Sequence, residues 1–331
     1  MAYFGVTATS AGLQAAAGGD LASGLRRRLD RVPPGAPVVV LVHGWKFHPA
    51  IPGADPHRSL FGFREGGQPR AGSWPEGLGI AHDEGESGLA IGFGWPACAP
   101  HLSSLLRRGR TGFAEVYERA GEAGAALAVL VTLIQALAPG RAVDLLAHSL
   151  GARVALAALP HLDRAPERMI LLGAAELASR ARAFVAMRRG DAAPAIYNVT
   201  ARANDPYDLA FECFVPGRAR GERAVGAGVP GLACWLDLQI DRSEVTAWAT
   251  AQGVALRPET ARCCHRGFYT REGTLTLYQA ILRRQPGWDL AGLRAVPCFA
   301  AQEPRWSRLL PSRRPDLPRL DGGLAGMALE R

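Results

Sequence analysis

The chain has 331 residues, 48% of them hydrophobic and 21% charged, with a formal net charge of +8. This length suits one large α/β domain or two small ones, and the composition is globular rather than disordered. A single lysine, Lys46, among 38 basic residues leaves 37 arginines, and they are dispersed without a contiguous basic stripe interleaved with aromatics, which speaks against a nucleic-acid partner.

The opening MAYFGVTATSAGLQ has no basic segment ahead of an apolar core, so no secretory signal is expected. VVVLV (38–42) follows a Pro/Gly turn and reads as a strand. Residues 46–88 are rich in Gly and Pro and show no period. An insertion this long after a strand is expected to be functional, a lid or a pocket wall. LAIGF (89–93) is the next strand, followed by a helix over 113–138. The most apolar part of that helix, AALAVLVTLIQALA (125–138), is too short to span a bilayer and carries Thr132 and Gln135. It reads as a buried helix of a cytoplasmic protein with no stable membrane insertion. Strands follow at 143–147, 168–173, 195–201 and 235–240, with helical segments at 150–159, 176–189, 243–253 and 274–284. The strands are nearly continuous apolar runs, as strands buried on both faces should be. Alternation with helices of ten or more residues indicates a parallel sheet with right-handed crossovers. The expected fold is α/β, with a mostly parallel central sheet and helices on both faces. It forms one domain over 1–302, with a Pro/Arg-rich tail over 303–331.

Six cysteines (Cys98, Cys213, Cys234, Cys263, Cys264 and Cys298) include no C-x-x-C pair, so neither a zinc ribbon nor a thioredoxin motif is expected. The vicinal pair Cys263–Cys264 reads as two small buried side chains. His48, His57, His82 and His101 are scattered in or near the insertion without an H-E-x-x-H or paired-carboxylate pattern. No phosphate-cradling glycine loop occurs either. No metal and no cofactor is expected.

Ser149 stands where an apolar strand stops at Ala147 and an alanine-rich helix begins. The pattern [Ala/Gly]-x-Ser-x-Gly alone is weak, since ATSAG at 8–12 also fits it. Context separates the two: Ser10 has no buried strand before it. A sharp strand-to-helix turn needs small neighbours, which Ala147 and Gly151 supply, and it lifts the hydroxyl to the sheet edge as a nucleophile. The competing reading is a helix N-cap serine. Acyl transfer also needs two N–H donors for its oxyanion. Leu150 supplies one directly after the nucleophile, and the loop after VVVLV supplies the other, most simply from Trp45, with Gly44 allowing close approach. His43 reads as a brace for that loop rather than as a base.

Through His43-Gly44-Trp45, the His148-Ser149-Leu150-Gly151 turn and the β/α alternation, the chain resembles the α/β-hydrolase superfamily of serine esterase and lipase type over about residues 36–285. Trp95-Pro96 before a long helix carrying Tyr117, followed by H-S-L-G, resembles a little-characterised branch of that superfamily. The resemblance implies a Ser-acid-His triad in that chain order. It places the acid after the second strand beyond the nucleophile, where Asp205 is favoured over Asp208 and over Glu176. Asp205 also reads as an Asx-turn residue before Pro206. The base is expected at His265, the one histidine downstream of His161; its bland alternative is a surface loop histidine. The function so implied is hydrolysis of a small-molecule carboxylic ester through an acyl-enzyme. Acyl transfer, thioester or amide cleavage by the same residues remains open, as does a non-catalytic binding protein of the same fold. Trp45, Trp74 and Trp95 suit either an apolar pocket or an ordinary core.

Overall fold

The computed structural model describes residues 2–62, 73–80, 87–98, 112–190 and 192–309. His82, His101, part of the 46–88 insertion and residues 310–331 of the expected tail therefore lie outside the described residues.

The chain opens with a hairpin that the sequence reading did not anticipate, β1 (Tyr3–Thr9) and β2 (Gly12–Ala15). ATSAG is its turn: Gly12 takes φ 109°, and the Thr9 hydroxyl donates to Gly12 O at 2.8 Å. Ser10 is thus a turn residue with no helix behind it. The next elements are α1 (Leu21–Leu29), β3 (Val38–Val42), the short α2 (Pro56–Ser59) and α3 (Trp74–Gly77), then β4 (Leu89–Gly94) and α4 (Gly112–Leu137). The second half runs β5 (Asp144–His148), α5 (Leu150–Ala158), β6 (Arg168–Leu172), α6 (Ala178–Ala186), β7 (Ala195–Thr200), α7 (Asp205–Phe214), β8 (Trp235–Gln239) and α8 (Ser243–Ala251). It ends with α9 (Gly267–Thr270), α10 (Thr274–Leu282) and α11 (Leu290–Ala295).

These strands form one sheet in the order β2-β1-β4-β3-β5-β6-β7-β8, parallel throughout except for the β1–β2 hairpin. Side chains alternate across a strand, so an all-apolar strand feeds a core on each face. Val38, Val40 and Val42 of β3 join the core under α1, α4 and α5. Val39 and Leu41 join the opposite core, with Trp74, Tyr269 and Tyr278. The run VVVLV is fully buried because both faces are covered.

Helix α4 is longer than the apolar stretch within it. Its 26 residues carry a window of mean hydropathy 1.7, enough by length and composition to cross a membrane, with 44% of that window buried against protein. It lies along α5, where Gly124 brings the backbone so close that an added Cβ would sit 2.7 Å from Ala157 Cβ.

The described ends of the insertion are packed into the domain. His57 lies against β1, its ring nitrogens 2.7 Å from Tyr3 Oη and 3.1 Å from Thr7 Oγ1. Phe61 and Trp74 are fully buried. The first part of the segment read as a tail, residues 303–309, is also docked rather than loose. The Trp306 N–H donates to Asp205 Oδ2 at 2.6 Å, Arg305 Nη1 to Glu212 Oε1 at 2.8 Å, and Arg308 Nη2 to Glu259 O at 2.6 Å.

Candidate active site

Ser149 is the first residue beyond β5 and the residue before α5, and it holds φ 56° and ψ −124°. A non-glycine residue at positive φ is strained by about 1–3 kcal/mol and persists only where its surroundings impose it. The surroundings here are backbone. The Ser149 N–H donates to Leu172 O, and Ser149 O accepts from the Ala175 N–H, both at 3.0 Å, which pins the turn to β6. On the other side it abuts the loop after β3. A Cβ on Gly44 would lie 2.7 Å from Ser149 Cβ, and a Cβ on Gly151 would lie 2.5 Å from Val42 O. Glycine at 44 and at 151 therefore follows from contact. Gly151→Ala is expected to push α5 off β3 and cost about 1–3 kcal/mol of stability, read as a lowered thermal midpoint; an unchanged midpoint would mean that the contact is not tight.

The loop after β3 is held by His43. The Trp95 backbone N–H donates to His43 Nε2 at 3.0 Å, so the ring proton sits on Nδ1, which donates to Gly44 O at 2.9 Å. The indole Nε1–H of Trp95 donates to His43 O at 3.0 Å, and the two rings stack with centroids 5.6 Å apart. Burial lowers the His43 pKa to about 3, so the ring stays neutral and braces the loop. Beyond it the Lys46 N–H donates to Ala97 O at 3.0 Å, which fixes the Gly44–Lys46 turn. The backbone N–H groups of Trp45 and Leu150 find no acceptor among the described residues. Leu150 opens α5, where the first N–H groups of a helix lack internal partners. The Trp45 indole is partly exposed and meets Phe113 edge-on, with ring centroids 5.7 Å apart.

His265 reaches the same end of the sheet from a loop beyond α8. The Cys264 N–H donates to Ala203 O at 2.9 Å, tying that loop to the segment leaving β7. The His265 ring stacks on Tyr207, with centroids 4.9 Å apart at 22°. It also lies 4.5 Å from the ring of His148, the covalent neighbour of Ser149. His148 Nε2 donates to His265 O at 3.1 Å, while burial holds the His148 pKa well below its usual value. Burial lowers the His265 pKa to about 4. Among the described residues no hydrogen bond joins Ser149 Oγ to the His265 ring; His148 is the covalent neighbour of the one and the ring contact of the other. Such contacts commonly tighten only once substrate is bound.

The residue meeting the His265 ring corrects the sequence reading. His265 Nδ1 lies 2.7 Å from Asn204 Oδ1, not from a carboxylate. Asp205, expected there, is turned away: Oδ2 accepts the Trp306 N–H, and Oδ1 faces Arg202 Nη1 at 3.4 Å. Asp208 stands one step behind, accepting from Asn204 Nδ2 at 2.9 Å. Glu176 is buried elsewhere, against Tyr117 and Arg153. The reason for the one-residue shift is local. A 3-10 turn over Arg202–Asn204 runs straight into α7, and successive residues there rotate by about 100°. Asn204 and Asp205 consequently point in different directions, and which of them faces His265 depends on where the turn ends.

Residues 76–178 match a family described as an alpha/beta hydrolase of unknown function (DUF900). The match runs from α3 through the Ser149 turn to the first residue of α6, and the parallel sheet around it has the architecture of that superfamily. The chain has the α/β-hydrolase fold. No curated protein matches it. In this fold Ser149, Trp45 and Leu150 lie at one end of the sheet, and His265 reaches it beside His148. Asn204 and Tyr207, which meet the His265 ring, were not among the residues singled out from the sequence. The Asn-Asp-Pro turn was the available signal, one residue away. Among the described residues, no cluster of three or more His, Cys, Asp or Glu side chains is arranged to hold a metal ion.

Proposed function

We propose that the protein is a serine hydrolase that cleaves carboxylic esters through an acyl-enzyme. The observation that carries the reading is the strained backbone of Ser149, a conformation maintained by contacts on both sides that presents the hydroxyl at the start of a helix. In this reading His265 Nε2 takes the Ser149 proton as Oγ attacks the substrate carbonyl. The free N–H groups of Trp45 and Leu150 receive the oxyanion. His265 then returns the proton to the leaving alkoxide, and water, activated by the same ring, releases the acid. Asn204 takes the place usually held by a carboxylate: its Oδ1 accepts from Nδ1–H and orients the ring. A neutral amide stabilises the imidazolium less than a carboxylate would. The rim favours an apolar acyl group, because Trp45 and Tyr207 expose large ring surface beside the turn.

The test is a fluorophosphonate probe on the folded protein. Wild type is expected to label at Ser149, and Ser149→Ala to abolish labelling. A folded wild type that never labels would favour a non-catalytic binding protein of the same fold.

A further inference from the structure

Resting on the reading just given, we propose that Asp208 is a positioning residue for the reaction. By holding the Asn204 amide in one orientation, it fixes which nitrogen of His265 carries the proton.

An asparagine beside a catalytic histidine is ambiguous in a way that a carboxylate is not. Its side chain offers an acceptor at one corner and donors at the other. With Oδ1 toward His265, the ring carries its proton on Nδ1 and leaves the Nε2 lone pair free to take the serine proton. With the amide turned over, Nδ2–H would demand a lone pair on Nδ1. The proton would then sit on Nε2, and the ring could not act as a base. The wrong tautomer in a serine triad costs about 10⁴-fold in kcat.

The structure contains a device against the wrong orientation. Asn204 and Asp208 lie four residues apart at the start of α7, so they share a helical face. Asn204 Nδ2 donates to Asp208 Oδ1 at 2.9 Å while Asn204 Oδ1 meets His265 Nδ1 at 2.7 Å. An ionised carboxylate only accepts. The turned-over amide would set oxygen against oxygen at a site where Asn204 and Asp208 are 2% and 4% exposed and water cannot compensate. Gly226 lies against the other carboxylate oxygen, where a Cβ would collide with it, so Asp208 is confined from that side.

Asp208 is faced by Arg202 and Arg305, which attract it, by Asp205 and Glu212, which repel it, and by Asn204, which donates to it and separates it from His265. Both arginines are engaged elsewhere: Arg202 Nη1 with Asp205 at 3.4 Å and Arg305 Nη1 with Glu212 at 2.8 Å. Burial raises the Asp208 pKa to about 7. Protonated, the carboxyl can donate as well as accept, and it then no longer dictates the amide. Activity should therefore rise with pH through that range.

The experiment combines ¹⁵N NMR of the His265 ring, which reads the tautomer without turnover, with ester kinetics on wild type, Asp208→Asn, and Asn204→Asp/Asp208→Asn. Wild type should hold the proton on Nδ1. In Asp208→Asn either amide can turn, so the tautomers should mix. Its kcat should fall by about 10-fold or more, bounded by the ~10⁴ of a fully wrong tautomer, with KM unchanged and without the acid limb near pH 7. The double variant puts an acceptor-only carboxylate directly on Nδ1 and should restore both the single tautomer and kcat, a rescue that a purely structural Asp208 would not allow. If Asp208→Asn keeps the Nδ1–H tautomer and full kcat, the inference is overturned. A wild type with the expected tautomer but no turnover and no probe labelling would overturn the hydrolase reading instead.

Discussion

Ser149→Ala and His265→Ala are each expected to lower turnover of a p-nitrophenyl ester by about 10⁴- to 10⁶-fold, with the double variant no worse than the singles. The non-additivity is the informative part. A nucleophile without its base is a weak alcohol, and a base without its nucleophile has no proton to take, so the second deletion removes nothing further. Residual rate should survive in all three variants, because the Trp45 and Leu150 N–H groups remain to bind an oxyanion. His265 also has to be neutral to act. With its pKa lowered to about 4 by burial, the ring stays uncharged above that pH, so its own protonation sets in only as pH falls through it, separate from the limb near pH 7 that Asp208 would give. Ser149 is 8% exposed and His148 6%, so the measurement needs a circular dichroism check that each variant folds. A folded His265→Ala with wild-type turnover would remove the base from the mechanism.

Most of the frame was legible in the sequence because it follows from periodicity and contact. Continuous apolar runs such as VVVLV can be buried only in a sheet covered on both faces. Small residues beside Ser149 are required by backbone-to-backbone approach, which Gly151 shows directly in its distance from Val42 O. The brace at His43 was legible for a similar reason, since a histidine at a strand end can reach the next strand's loop, here the Trp95 N–H. What escaped had weaker local signals. In the β1–β2 hairpin the edge strand β2 alternates exposed and half-buried residues, and β1 beside it is mostly half-buried with Val6 buried, so it lacks the apolar run that marks the inner strands. Asn204 escaped because its direction depends on helical phase rather than composition. Docking of Trp306 and Arg305 onto Asp205 and Glu212 is a pairing across about a hundred residues that no local pattern encodes.

Glu176→Ala is expected to destabilise the fold by about 3–5 kcal/mol, a fall in the thermal midpoint on the order of 10 °C, while turnover per folded molecule is unchanged. Glu176 follows β6 within the same turn that receives Ser149 O, so by chain position it could have been the triad acid. Its contacts assign it different work. Oε1 accepts from the Tyr117 hydroxyl at 2.5 Å and from the Leu177 N–H at 2.8 Å, and Oε2 accepts from Arg153 Nη1 at 2.6 Å. Arg153 also lies over the Tyr117 ring at 3.6 Å, and Arg180 Nη1 donates to the Tyr117 hydroxyl at 2.7 Å. The carboxylate is thus the only anion among these contacts, set against two guanidinium groups and a phenol, with its own side chain fully buried. Removing it leaves Arg153, 12% exposed, without its counter-charge and Tyr117 without its acceptor, which is the costly way to break a buried pair. The pair clamps α4 to α5 and to the start of α6, behind the Ser149 turn. Glu176→Gln, which keeps the shape and one acceptor but loses the charge, should fall between wild type and alanine. If Glu176→Ala instead keeps its thermal midpoint and loses turnover, the acid lies at Glu176, and the partnership of Asn204 with His265 carries no chemistry.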